Sequence, residues 1–303
     1  MTELEQMVAA IQNENETEMA LDQQAMEQSQ LTTREEESST SDADVQVTPQ
    51  NLFDKIGAKP PDEIVKWLKS FVYGEPGVGK TYLGGTAGSS EETSPLLIID
   101  IDGGFLTVRH MSNIMVRQVR TLDELAEVFK DIHSAIDWSN PHDPKLPFKT
   151  CMIDSITELQ KIDMLGIMKE TRAVQEGRQD PYVPSEREWF ISQGHMREII
   201  RKFKDLPCHI IFTAHLDAKK NNRNQMVNGP DLPGKLRNQI AGFFDVVGLL
   251  YATPEEDGVV RKIQFEKTDT TIAKDRLQVL GQVVVNPTFP MLVEKLHEGV
   301  SDE

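Results

Sequence analysis

The chain has 303 residues, with 49 Asp and Glu against 32 Lys and Arg, for a net charge of −17. That balance excludes a globally basic nucleic-acid binder, and no run approaches the ~18 apolar residues of a membrane span. The two cysteines, Cys151 and Cys208, lie far apart in apolar runs. That spacing builds neither a disulfide framework nor a zinc site, and it points to reduced core thiols.

Residues 1–50 hold 12 acidic residues and one basic residue, Arg34, so the segment carries −11 and the rest of the chain −6. It has no glycine and no aromatic residue. A segment this charged cannot bury enough apolar surface to offset its ordering entropy. Residues 1–50 are therefore expected to be a disordered acidic tail, and 51–303 one large domain. The acidic start lacks the basic-then-apolar pattern of a secretory signal, so a cytoplasmic location with no membrane partner is expected.

From Asn51 onward, short apolar runs alternate with helical patterns. Lys69–Tyr73, Leu96–Ile101, Ile114–Val119, Thr150–Asp154 and Cys208–Thr213 have the composition of buried strands. Leu122–Ile136, Ile156–Lys169 and Glu186–Lys204 are amphipathic stretches between them. The alternation predicts an α/β fold with a mostly parallel sheet flanked by helices. After Phe243, the runs Val246–Tyr251, Val259–Phe265 and Leu277–Val285 follow with no room for helices, which predicts antiparallel C-terminal strands at one sheet edge. Trp138–Phe148 and Asp217–Leu236 are expected to be long loops, which in compact domains usually carry function.

The strongest local signal is Gly74-Glu75-Pro76-Gly77-Val78-Gly79-Lys80-Thr81, a full phosphate-loop (Walker A) motif between a predicted strand and a predicted helix. Glycines let backbone N–H groups turn inward around phosphate oxygens. Lys80 would reach the β- and γ-phosphates of ATP, and the Thr81 hydroxyl would bind Mg²⁺. The helix after it contains Gly84 and Gly85, about 1 kcal/mol each against helix formation, so a short or tightly packed helix is expected.

A second acid should close an apolar strand and help hold Mg²⁺, and Asp154 fits. Ser155 follows it where helicases and AAA+ proteins usually carry Glu, so another carboxylate must orient the attacking water. Asp102 is the candidate, at the carboxyl edge where parallel sheets bind ligands. Asp100, on the same face one step deeper, is the alternative.

At these residues the chain resembles the RecA-like ATPases. Asp154-Ser-Ile-Thr-Glu-Leu159 resembles that family's second nucleotide motif, and Ile99-Asp-Ile-Asp102 its strand ending in a catalytic acid, though the family acid is normally Glu. Ile210–His215 resembles the strand bearing a polar γ-phosphate sensor, a role that falls on His215. Ala273-Lys-Asp-Arg276 is similar to the Ala-Lys-x-Arg of hexameric replicative helicases of the DnaB type. There the resemblance implies that Lys274 and Arg276 act as fingers in a neighbouring subunit's site, within a ring or filament. The ordered set, with Thr213-Ala-His215, Pro230–Lys235 and Phe244-Asp245, resembles the phage nucleotide-binding, RecA-core proteins related to Sak-type single-strand annealing ATPases. This resemblance implies a RecA-like P-loop core, an ATPase stimulated by DNA, and a place in the host cytoplasm.

By the same resemblance, DNA would meet the loops at Glu170–Arg187, with Arg172, Arg178 and Arg187, and at Asp217–Leu236, with Lys219, Lys220 and Arg223. Tyr182 and Trp189 are the nearby aromatics for stacking bases. Each phosphate contact adds roughly one unit of salt slope. The basic helical stretch Arg197, Arg201, Lys202 and Lys204 reads as a solvated face. Three classes remain open: a recombination or annealing ATPase on single-stranded DNA, an ATP-driven motor or loader, and a nucleotide-switched interaction module. The tail offers a competitor for basic loops, bait for a protein partner, or solubility.

Overall fold

A strand buried on both faces must be apolar almost throughout, and four of the runs above build such strands. The fifth, expected to be buried at Ile114–Val119, is an exposed strand at the sheet edge, with only one neighbour to cover it. The computed structural model describes residues 52–53, 55–60, 67–140, 143–174, 183–221, 223–256 and 258–301. The acidic segment 1–50 lies outside them, as do Arg178, Tyr182 and the side chain of Arg172. The chain divides into two units, Met1–Ile64 and Val65–Glu303. In the first, Ile56 N donates to Leu52 O at 3.0 Å in a single helical turn.

In the second unit, β1 (Lys69–Gly74) leads through the phosphate loop to α1 (Lys80–Gly85). Then follow β2 (Leu96–Asp100), β3 (Ile114–Gln118), α2 (Leu122–Ala135), β4 (Thr150–Asp154), α3 (Ile156–Val174) and α4 (Glu186–Lys204). The chain continues through β5 (His209–Lys220), β6 (Met226–Pro230), α5 (Leu236–Phe243), β7 (Val246–Glu255) and β8 (Gly258–Gln264). It closes with β9 (Lys274–Asp275), β10 (Val283–Val285) and α6 (Phe289–Ser301).

Among the described residues the sheet has ten strands in the order β10-β8-β7-β1-β5-β4-β2-β3, with β6 on β5 and β9 on β7. From β7 to β3 the pairing is parallel, and β8 and β10 extend it antiparallel. This is a RecA-like P-loop α/β core, in which β5 separates the phosphate-loop strand from the strand that ends in Asp154. All the parallel strands therefore deliver their carboxyl ends to one edge.

Alternation splits the core between the two faces. Phe71, Tyr73, Ile99, Ile153 and Phe212 pack on one side, and Val72, Ile98, Met152 and Ile211 on the other. Each such side chain contributes about 1.5–3 kcal/mol when fully buried. Helix ends follow their sequence signals. Thr121 Oγ1 accepts from Glu124 N at 3.2 Å to start α2, and Ser185 with Glu188 forms a capping box that starts α4. Helix α6 covers the second face with Phe289, Leu292, Val293 and Leu296, and its first amide donates to Thr86 Oγ1 at 2.8 Å.

Three more expectations change, and that of a short helix after the phosphate loop holds. The Val246 run is parallel to β1, because α5 gives the chain a crossover before it; antiparallel pairing begins at β8. Of Leu277–Val285 only the last three residues are strand, since the Asp275 carboxylate accepts from Leu277 N and Leu280 N and curls the chain. Residues 217–236 form a β-hairpin of β5 and β6 running into α5, and Asn221 Oδ1 shapes its turn by accepting from Arg223 N and Gln225 N. Helix α1 is only six residues long, as its glycines imply, and a Cβ on Gly84 would lie 2.3 Å from Met152 Sδ.

Candidate active site

β1 ends at Gly74, and the next five residues fold back over its end. Gly77 and Gly79 have φ of +77° and +104°, where a side chain is strained, and a Cβ on Gly74 would meet Leu250 O at 2.3 Å. The loop can adopt this cradle only with glycine at these positions. Lys80 Nζ lies across it, donating to Gly74 O at 3.0 Å and Glu75 O at 2.9 Å. Burial lowers the Lys80 pKa, against the pull of Asp154 and Asp102.

Asp154 closes β4 and is 2% exposed. Thr81 Oγ1 donates to its Oδ2 at 2.6 Å, and the Thr213 hydroxyl of β5 donates to its Oδ1. Burial pushes its carboxyl up from the ordinary range, opposed by those two hydroxyls. Thr81 Oγ1 and Asp154 Oδ2 are adjacent hard oxygens of the kind Mg²⁺ takes, so the residues present fit that ion.

Asp102 reaches the same place from β2. Ile101 N and Asp102 N both donate to Asp154 O, at 2.7 and 3.2 Å. Gly104 follows closely enough that a Cβ on it would sit 3.2 Å from Thr81 Oγ1. The Asp102 carboxylate lies 3.4 Å from His215 Nε2, and Glu158 Oε1 of α3 lies 3.9 Å from His215 Nδ1. His215 itself sits beside Gly74 in the β1–β5 register. Asp100 does something different. It is fully buried, and its Oδ1 accepts from Gly103 N at 3.0 Å and Gly104 N at 2.9 Å, shaping the turn that presents Asp102.

A family model described as AAA domain matches residues 66–277, from just before β1 to just past β9. The chain belongs to the AAA_24 family. No curated protein matches it in sequence. A KaiC-like protein from the hyperthermophilic archaeon Pyrococcus horikoshii OT3 is similar among solved structures, at 12% identity and a TM-score of 0.36 over 73% of this chain and 89% of that one. The AAA_24 span includes the phosphate loop, both acids, His215, the basic hairpin and Ala273–Arg276.

Lys274 and Arg276 lie elsewhere in this AAA_24 domain. β9 pairs with Val246 and Val247 at the start of β7, so both residues sit at the amino edge of the sheet, opposite the phosphate loop of their own chain. Lys274 Nζ donates to Ala241 O at 2.7 Å and Phe244 O at 2.8 Å, and Arg276 Nη1 pairs with Asp245 Oδ1 at 2.9 Å.

Sequence reasoning assigned no role to several residues that shape the site. Thr213 stood in a quoted motif, and its place two residues before His215 puts both side chains on one strand face. Thr157 Oγ1 accepts from His215 N at 3.0 Å and donates to Asp231 O at 3.1 Å. Arg237 of α5 holds the base of the hairpin through Asp217 O and Val227 O, both at 2.7 Å. Arg261 of β8 reaches the phosphate loop, where its Nε donates to Val78 O at 3.1 Å. Arg237 and Arg261 carry no local motif, since each acts across a long-range packing contact.

Proposed function

We propose that this AAA_24 chain hydrolyses ATP at the carboxyl edge of its sheet and acts on single-stranded DNA, in recombination or annealing of the phage type. The observation that carries the ATPase reading is convergence: Lys80, Thr81, Asp102, Asp154 and His215 come from four segments and meet around one cradle. The loop amides and Lys80 bind the β- and γ-phosphates, while Thr81 and Asp154 would hold Mg²⁺. When bound, that ion would offset negative charge on the phosphoryl oxygens. Asp102 accepts a proton from the attacking water and orients it. His215, flanked by Asp102 at 3.4 Å and Glu158 at 3.9 Å, would turn a ring N–H toward the γ-phosphoryl oxygens.

The DNA reading is supported by one strand. β5 carries Thr213 and His215 at the site and continues without a break to Lys219 and Lys220, with Arg223 in the turn beyond. These three cations are exposed. A γ-phosphate contact at His215 and a backbone contact at the hairpin would thus share one rigid element. Assembly into a ring or filament belongs to the same reading. Arg276 is the more available finger, because among the described residues its side chain is held by a half-exposed pair with Asp245, whereas Lys274 is bound by two carbonyls.

Phosphate release from Mg-ATP, measured with and without single-stranded DNA at low salt, tests the proposal. Stimulation several-fold or more is expected, and it should be lost when Lys219, Lys220 and Arg223 are all changed to Ala. Absence of DNA affinity with Mg-ATP present would remove the DNA assignment.

A further inference from the structure

The Asp154 and His215 side of the loop receives the γ-phosphate, so the nucleoside must leave on another side. β5, β4 and β2, which bear the acids and His215, all lie on one side of β1, and β7 with β8 lies on the other. From that second side Arg261 reaches over the loop. Its Nε donates to Val78 O at 3.1 Å, and a Cβ on Gly79 would lie 2.7 Å from it, so the guanidinium rests directly on the loop backbone. Its Cζ stands 5.7 Å from the centroid of the Tyr82 ring, in the first turn of α1. Both side chains are exposed. A planar cation and an aromatic ring, held together at the mouth of a phosphate cradle, offer flat polarisable surface with no occupant from this chain's core.

We infer that Arg261 and Tyr82 form the stacking platform for the nucleobase of a bound nucleoside triphosphate; this rests on the nucleotide reading above and extends it to the base. Arg261 is tethered through Nε, which leaves its planar face available for stacking. Stacking on a π-face is tolerant of base identity, since every base has one. ATP and GTP are therefore expected to bind within a few-fold of each other, with selectivity set by the phosphates.

The test compares binding of Mg-ATP, Mg-GTP and Mg-tripolyphosphate, which has the phosphate chain without base or sugar, to the full-length protein. Arg261→Ala and Tyr82→Ala should each weaken ATP and GTP about tenfold or more while leaving tripolyphosphate within twofold. Tyr82→Phe, which keeps the ring face, should bind ATP as the wild type does. Thermal melting of each variant checks that the loop and β8 remain folded. If both variants lose ATP and tripolyphosphate equally, Arg261 holds the loop or a phosphate and the platform is overturned. Unchanged ATP affinity in both variants overturns it as well. If the wild type binds neither ATP nor tripolyphosphate, the nucleotide reading itself fails, and that result is distinct from the others.

Discussion

The two edges of one sheet use similar residues to opposite ends. At the amino edge, charges are consumed by the chain itself. Lys69 Nζ donates to Leu206 O and Cys208 O at 2.6 and 2.7 Å, Lys274 to two carbonyls, and Arg276 to Asp245. Burial lowers the Lys69 pKa to about 8. At the carboxyl edge, His215 faces Asp102 at 3.4 Å and Glu158 at 3.9 Å across a half-open space, and Thr81 and Asp154 present adjacent oxygens. Saturated charges hold a fold together, while incompletely saturated ones converging at strand ends are available to a ligand.

The largest effects should fall at the carboxyl edge. Lys80→Ala is expected to reduce ATP turnover below about 1% of wild type, and, because it leaves Gly74 O and Glu75 O without their lysine donor, to cost about 1–3 kcal/mol in stability as well. Phosphate release and calorimetry check both halves. Next comes Asp100. Asp100→Ala removes the acceptor for two turn amides and should destabilise the fold by about 2–3 kcal/mol, read by urea denaturation. An unchanged urea midpoint would mean that the turn presenting Asp102 does not depend on Asp100.

The amino edge should respond in stability and leave nucleotide affinity intact. Lys274→Met leaves Ala241 O and Phe244 O without their shared donor and should cost about 1–3 kcal/mol. His209, in the same region, accepts from Leu68 N through Nδ1 at 3.0 Å, and burial holds its pKa at about 3. The unfolded chain takes up that proton below about pH 6.5 and the folded chain only near pH 3. Stability should therefore fall as pH drops through that window, by up to about 1.4 kcal/mol per unit. His209→Asn, which keeps an acceptor without the titration, should flatten the dependence of the urea midpoint on pH. The smallest effect is expected for Arg276→Ala: within about 1 kcal/mol in stability, as for other exposed pairs, and a fall in turnover only where copies assemble.

Much of this contrast was legible in the sequence. The phosphate loop is local, so its residues, spacing and helix start could be read directly. Asp154 and Asp102 were legible because an apolar strand with an acid at its end has one plausible edge. The parallel direction of β7 was hidden because α5 is only eight residues long, with Pro233 and Gly234 just before it and Gly242 in its last turn, which mask its period. The hairpin of β5 and β6 was hidden because Asn-rich polar strands resemble loops. Arg237 and Arg261 were invisible for a further reason: the partners of Arg237 lie 10 and 20 residues away and that of Arg261 183, and each is a backbone carbonyl without identity in sequence.

Asp102, at the carboxyl edge, is expected to act in the chemical step after ATP is bound. The direct measurement is ATP affinity and single-turnover hydrolysis for wild type and Asp102→Asn side by side. Wild-type turnover, with the variant binding ATP equally but hydrolysing it about 10²–10³-fold more slowly, is the predicted result. Equal hydrolysis by the two proteins, or no hydrolysis by either with Mg²⁺ and single-stranded DNA present, would contradict it.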